Sequence, residues 1–178
     1  MTAIAAPLED GVVVPTFDEV YANHVAFVWR VLRACGVPQE QLEDAAQDVF
    51  VVVHRRLAEF EGRSAITTWL FSITRRVAAS HRRRQPPTPI DPIVVPEIQS
   101  ASDPFDDVAR SQAAAAIAAI LDRMDEDKRL VFALVELEQM SVAEVARMLD
   151  INSNTAHSRL RLARAEFAAA VRRTKAAK

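Results

Sequence analysis

The stretch SVAEVARMLDINSNTAHSRLRLARAEF, residues 141–167, reads as two short helices joined by a polar turn. Ser141 and Glu144 have the form of a capping box, in which the hydroxyl takes a free backbone N–H and the carboxylate reaches back. Val142, Val145, Ala146 and Leu149 then recur at the spacing of one buried helical face, and the pattern breaks at Asp150-Ile151-Asn152-Ser153. A second helix from Asn154 places Ala156, Leu160, Ala163 and Phe167 inward. Asn154, Ser158 and Arg161 then point away from the core. Thr155, His157 and Leu162 lie beside them, with Arg159 and Arg164 on the flanks. This is a helix-turn-helix, and its outward side chains suit the donor and acceptor pattern of a DNA major groove.

Any amphipathic helix has a polar outer face, so the distribution of charge carries the decision. From Ile151 onward the bases are Arg159, Arg161, Arg164, Arg172, Arg173, Lys175 and Lys178, against the one acid Glu166. Between Leu121 and Asp150 acids outnumber bases. A chain of net charge −2 has thus gathered positive charge at one end, the electrostatic footprint of a nucleic-acid contact.

The 178 residues are half hydrophobic with only three glycines, which predicts an all-α protein of one ordinary domain or two small ones. The single cysteine, Cys35, leaves no internal disulfide framework or Cys-rich zinc site and fits a reducing cytoplasm. No apolar run reaches membrane-spanning length and no signal peptide opens the chain, so a cytoplasmic protein without membrane insertion is expected. The four histidines are scattered and no phosphate-binding glycine loop occurs, so neither an enzyme nor a cofactor or small-molecule substrate is expected.

Residues 1–15 have no sustained period and are read as a loose arm. A capping box at Thr16 to Glu19 opens a helix with Phe17, Val20, Tyr21, His24, Val28, Val31 and Leu32 at helical spacing. Pro38 opens the next helix, which is expected to run to about Phe60 despite the β-prone Val49-Phe50-Val51-Val52-Val53. Its outer face carries Asp44, Gln47 and Asp48, then Arg55 and Arg56. A third helix, with Ser64 as its expected cap, buries Ile66, Trp69, Leu70, Ile73 and Val77 and ends in Arg75, Arg76, His81, Arg82, Arg83 and Arg84. Cations beside an aromatic and small polar groups suit single-stranded nucleic acid, although a solvated helix end would look the same. Residues 85–107 hold six prolines and five acids with no base, which makes them an extended linker between two helical blocks. Beyond it an Ala-rich helix, Ala113 to Leu121, precedes Asp125-Glu126-Asp127, acids suited to a helix N-terminus, and a helix with Leu130, Val131, Leu134 and Val135.

Taken in order, these motifs resemble the extracytoplasmic-function (ECF) sigma factors of bacterial RNA polymerase. Asp44-Ala45-Ala46-Gln47-Asp48-Val49-Phe50 is similar to the family's helix that docks on the β′ clamp helices, which implies Asp44, Gln47, Asp48, Phe50 and Arg55 as core-binding residues. Phe60 to Leu70 with Ile73-Thr74-Arg75-Arg76 resembles the loop and helix that open the minus-ten element and hold a flipped base. That implies Glu61, Gly62, Arg63, Ser64, Trp69, Arg75, Arg76, Arg82 and Arg83. The helix-turn-helix resembles the reader of the minus-thirty-five element, implying Asn154, Thr155, His157, Ser158, Arg159, Arg161 and Arg164. The resemblance further implies domains at 16–84 and 108–178, a linker in nucleic-acid channels, and core RNA polymerase (β′ clamp helices, β flap), promoter DNA and an anti-sigma factor as partners. Arg76 stands where Asn is common, Ser80 for Asp, Asp125 for Pro and Asp150 for the Gly of the turn. The competing readings are a helix-turn-helix repressor or activator with a sensing or dimerising N-terminal domain, and a helical adaptor or enzyme that never meets DNA.

Overall fold

The computed structural model describes residues 14–84 and 114–176, all of whose regular elements are helical. The all-α expectation holds for them. The linker 85–107 and all of the arm except Val14 and Pro15 lie outside the described residues. The chain divides into two units, Met1–Pro87 and Thr88–Lys178. No helix among the described residues is long and apolar enough to cross a membrane.

In the first unit α1 (Phe17–Ala34), α2 (Leu42–Arg56) and α3 (Ile66–Arg84) pack pairwise against one another. The capping box at Thr16 forms as expected, with both its reciprocal bonds to Glu19. At the other end of α1, Gly36 adopts φ 79°, and the Val37 N–H closes back on the Leu32 carbonyl at 3.1 Å. A Cβ would be penalised at that left-handed position. Val28, Val31, Leu32, Val49, Val53, Leu70 and Phe71 fill the core. The run 49–53 is helical because every third or fourth apolar side chain finds a partner in that core, whereas Val51 is 40% exposed.

Two boundaries differ from expectation. The second helix is preceded by a 3₁₀ turn, Gln39–Gln41, and followed by another, Leu57–Glu59, so its α portion is shorter at both ends. Such tightening is a usual way to satisfy the orphan groups of a helix end. The third helix begins at Ile66, and the Ala65 carbonyl accepts from the Thr68 and Trp69 N–H groups. Ser64 is therefore one residue too early to be its cap.

The second unit holds helix 114–122 (α4), α5 (Glu126–Phe132), α6 (Val142–Leu149) and α7 (Ser153–Ala176). Asp125 caps α5, its carboxylate accepting from the Asp127 N–H. A π-helical turn, Ala133–Leu137, continues α5. Leu121, Met124, Phe132 and Ala163 form a buried cluster, and the Phe132 and Phe167 rings stack at 5.0 Å. Between α6 and α7, Asp150 takes φ 55° and ψ 47°, and the Ile151 N–H bonds the Ala146 carbonyl at 2.9 Å. An Asp tolerates this left-handed geometry better than most residues, which explains how it serves where glycine is the easier choice.

The α6 cap yields a pH-dependent expectation. Glu144 accepts from the Ser141 hydroxyl at 2.6 Å and the Ser141 N–H at 2.9 Å. These bonds, the hydroxyl's first, hold its carboxyl below the usual carboxylate range. Because the folded pKa is depressed, the contribution is complete above the unfolded value and is lost as pH falls through the folded one. Ser141→Ala is expected to cost about 1 kcal/mol at neutral pH, and the difference from wild type should narrow in acid. Thermal melts of both proteins across pH 3–7 check this; a gap that widens in acid contradicts it.

Candidate nucleic-acid and protein interfaces

The Asn152 side chain caps α7, its Oδ1 accepting from the Thr155 N–H at 2.8 Å, one residue ahead of the start expected from the sequence. Ala156, Leu160 and Ala163 are buried, as their spacing predicts. Asn154, His157, Ser158, Arg161 and Arg164 are exposed, and Thr155 and Arg159 are half-buried. The seven residues singled out in this region therefore share the outer surface of one helix, over its first three turns.

What the sequence did not reveal is where two of the arginines are engaged. Arg159 pairs with Asp127, and Arg164 binds Glu136 through Nε at 2.8 Å and Nη2 at 2.6 Å. Lys128 on α5 pairs with Glu166. The acids that looked like a mere contrast to the basic end are thus its structural partners, tying α7 to α5 and to the π turn. Surface ion pairs of this kind each contribute about 0–1 kcal/mol, so a phosphate could displace them, but the pairs reduce the bare positive charge of the flanks. Arg161 has no acidic partner among the described residues.

In the first unit α2 separates its candidates into two groups. Gln47, Phe50 and Arg55 line a groove of about 750 Å³ against α1, together with Phe17, Tyr21 and Trp29. Phe50 is only 6% exposed, and its ring meets Tyr21 edge-on at 4.7 Å, so it forms the floor beneath this face. Asp44 is exposed outside the groove lining. Asp48 turns to α3, where its Oδ2 lies 2.9 Å from His81 Nε2. His81 belongs to the core edge at 7% exposure and leaves the basic run in which the sequence seemed to place it. The signal was present: Leu70, Thr74 and His81 stand at i, i+4 and i+11, one helical face, and Thr74 is fully buried with its hydroxyl bonded to the Leu70 carbonyl.

The loop before α3 turns at Gly62, with φ 69°, and Glu61 and Arg63 on either side of it form an exposed ion pair. Ser64 is exposed. Trp69 is half-buried against Phe60 at a 5.4 Å centroid distance, and its carbonyl accepts from the Ser72 hydroxyl. Arg75, Arg76, Arg82 and Arg83 are exposed. Trp69, Arg76 and Arg83 recur every seven residues and so fall on one side of the helix, with Arg75 and Arg82 on the adjoining side. Arg75 and Arg76 have no acidic partner among the described residues. No group of His, Cys, Asp and Glu that could hold a metal occurs among those residues either.

Comparison with known proteins falls on the same two units. Residues 20–86 match the model of sigma-70 region 2, and residues 114–167 that of sigma-70, region 4. The chain is 28% identical over 152 residues to the ECF RNA polymerase sigma factor SigM of Mycobacterium tuberculosis, covering 85% of this chain and 75% of the relative. It is also 28% identical over 138 residues to the ECF RNA polymerase sigma-E factor of Escherichia coli, covering 72% of each. In fold it is similar to the sigma factor RpoE from Bartonella quintana, solved with the anti-sigma factor NepR (TM-score 0.69, 17% identity, 88% of this chain and 96% of that one). CnrH, solved with the cytosolic domain of CnrY, is a second such structure (TM-score 0.60, 24% identity, 87% and 86%).

Proposed function

The chain belongs to the sigma-70 family, in its extracytoplasmic-function group, and from that premise we propose how its two units divide the start of transcription. It is an initiation factor that binds core RNA polymerase and directs it to promoters. The face formed by α2, with Asp44, Gln47 and Arg55 at its surface and Phe50 beneath, docks on the β′ clamp helices. Asp48 supports it through α3. The loop Glu61 to Ser64 and the α3 face of Trp69, Arg75, Arg76, Arg82 and Arg83 hold the opened minus-ten strand, the arginines supplying charge for phosphates and the loop room for a flipped base. The outer face of α7, from Asn154 to Arg164, enters the major groove of the minus-thirty-five element, while the second unit meets the β flap.

The observation that carries this reading is the pairing of two exposed arginine-bearing helix faces, one per unit, with region 2 and region 4 in the family's order along the chain. A repressor would need only the second. The factor itself performs no catalysis, since phosphodiester synthesis is the polymerase's, and it works in the cytoplasm where polymerase and chromosome meet. An anti-sigma protein that covers one or both units is a further expected partner.

Run-off transcription with purified core polymerase on a library of randomised promoters tests the proposal, with transcripts expected only when the chain is added. In the same assay Arg161→Ala is expected to lose about 1–3 kcal/mol of preference at one base pair of the upstream element, because a guanidinium with no acidic partner among the described residues is available to a base edge. A uniform loss over all sequences would move Arg161 to the phosphates.

A further inference from the structure

Leu162 is 46% exposed on α7, on the side of the helix that carries Thr155 and Ser158. It is the one large hydrophobic side chain of that helix left open among the described residues. A leucine there would ordinarily be shielded by its long helical neighbours at i−3 and i+4, residues 159 and 166. Both are tied elsewhere. Arg159 is held by Asp127 and Glu166 by Lys128, so each is committed to α5. The remaining neighbours, Ser158 at i−4 and Ala165 at i+3, are too small to cover it. Thr155, Ser158, Arg159 and Leu162 instead line a shallow hollow of about 560 Å³ open to solvent.

A hollow with small polar groups and one bare apolar end, on a helix that enters the major groove, has one natural counterpart among base edges. Thymine alone presents an apolar group there, its C5 methyl, while the other edges offer hydrogen-bond donors and acceptors that a leucine leaves unpaired. We infer that Leu162 is a specificity-determining residue that selects a thymine in the upstream promoter element by packing on its C5 methyl group. The inference rests on the proposed reading of duplex DNA by α7 and adds to it a base identity and the residue that sets it. The ion pairs Asp127–Arg159 and Lys128–Glu166 are then part of the device, because they keep the apolar spot clear.

The test uses the full chain assembled on core RNA polymerase and duplex probes with a randomised upstream element. Once the bound sequences are selected, each thymine in turn is replaced by deoxyuridine, which removes only the methyl group. At one position wild type is expected to lose about fourfold in affinity, the worth of one buried methyl-sized group. The Leu162→Ala holoenzyme should bind the thymine and deoxyuridine probes equally, and Leu162→Gln should shift selection at that position toward adenine, whose N6 and N7 a carboxamide pairs with. Leu162 is half-exposed, so both variants are expected to melt as wild type does. A deoxyuridine penalty that persists unchanged in Leu162→Ala, or no penalty at any thymine, overturns the inference while leaving α7 a reader of DNA. Selection that returns no preferred upstream sequence overturns the reading beneath it.

Discussion

Holoenzyme carrying Arg75→Ala and Arg76→Ala together is expected to bind a linear promoter as tightly as wild type in its closed form and to transcribe from it about tenfold or more slowly. A template with a pre-melted minus-ten bubble should recover most of the loss. Both side chains are exposed, neither has an acidic partner among the described residues, and both project from the helix that carries Trp69. Charges placed for an opened strand contribute nothing until the duplex parts, so their removal raises the barrier to opening and spares the initial encounter. Tenfold corresponds to ~1.4 kcal/mol, within the range of one base or phosphate contact on a single strand. Trp69 is a less clean probe, because its ring packs on Phe60 and its truncation would disturb the loop as well as any base contact. Equal slowing on linear and bubble templates would place these arginines outside strand opening.

The second large effect concerns docking. Asp44→Ala, Gln47→Ala and Arg55→Ala combined are expected to weaken binding to core polymerase by about a hundredfold, as the loss of three exposed polar contacts near 1 kcal/mol each implies, with unchanged thermal stability. Asp48→Ala should behave differently. It leaves His81 Nε2 at the core edge without its carboxylate, which costs about 1–3 kcal/mol of stability in addition to any effect on docking. Titration of fluorescently labelled chain with core enzyme, beside thermal melts, separates the two behaviours. A folded triple variant that binds core as wild type does would remove the docking assignment from α2.

Much of this was legible in the chain itself. Capping boxes at Thr16 and Ser141 and the apolar spacing of α6 and α7 are local signals, set by residues three or four apart, and the structure forms them as read. The polar turn at Asp150 followed from the break between two periodic segments, whereas its left-handed backbone did not. The features that escaped reading join residues distant in sequence: Asp48 with His81, Asp127 with Arg159, Glu136 with Arg164. A sequence window sees Arg159 and Arg164 as free cations because the one acid nearby, Glu166, stands at neither i+3 nor i+4 from them. Only packing α5 on α7 brings their acids to them. Phe50 escaped for the converse reason, since the spacing of its motif does not tell which side chains of the helix form the surface and which the floor.

Core polymerase is expected to open promoter DNA only with this chain bound, and permanganate reactivity of thymines on a linear promoter measures that opening. With chain and core enzyme together, thymines of the minus-ten region are expected to become reactive, and with either component alone they should stay protected. A complex that binds the promoter while every thymine remains paired would return the chain to the class of simple helix-turn-helix regulators.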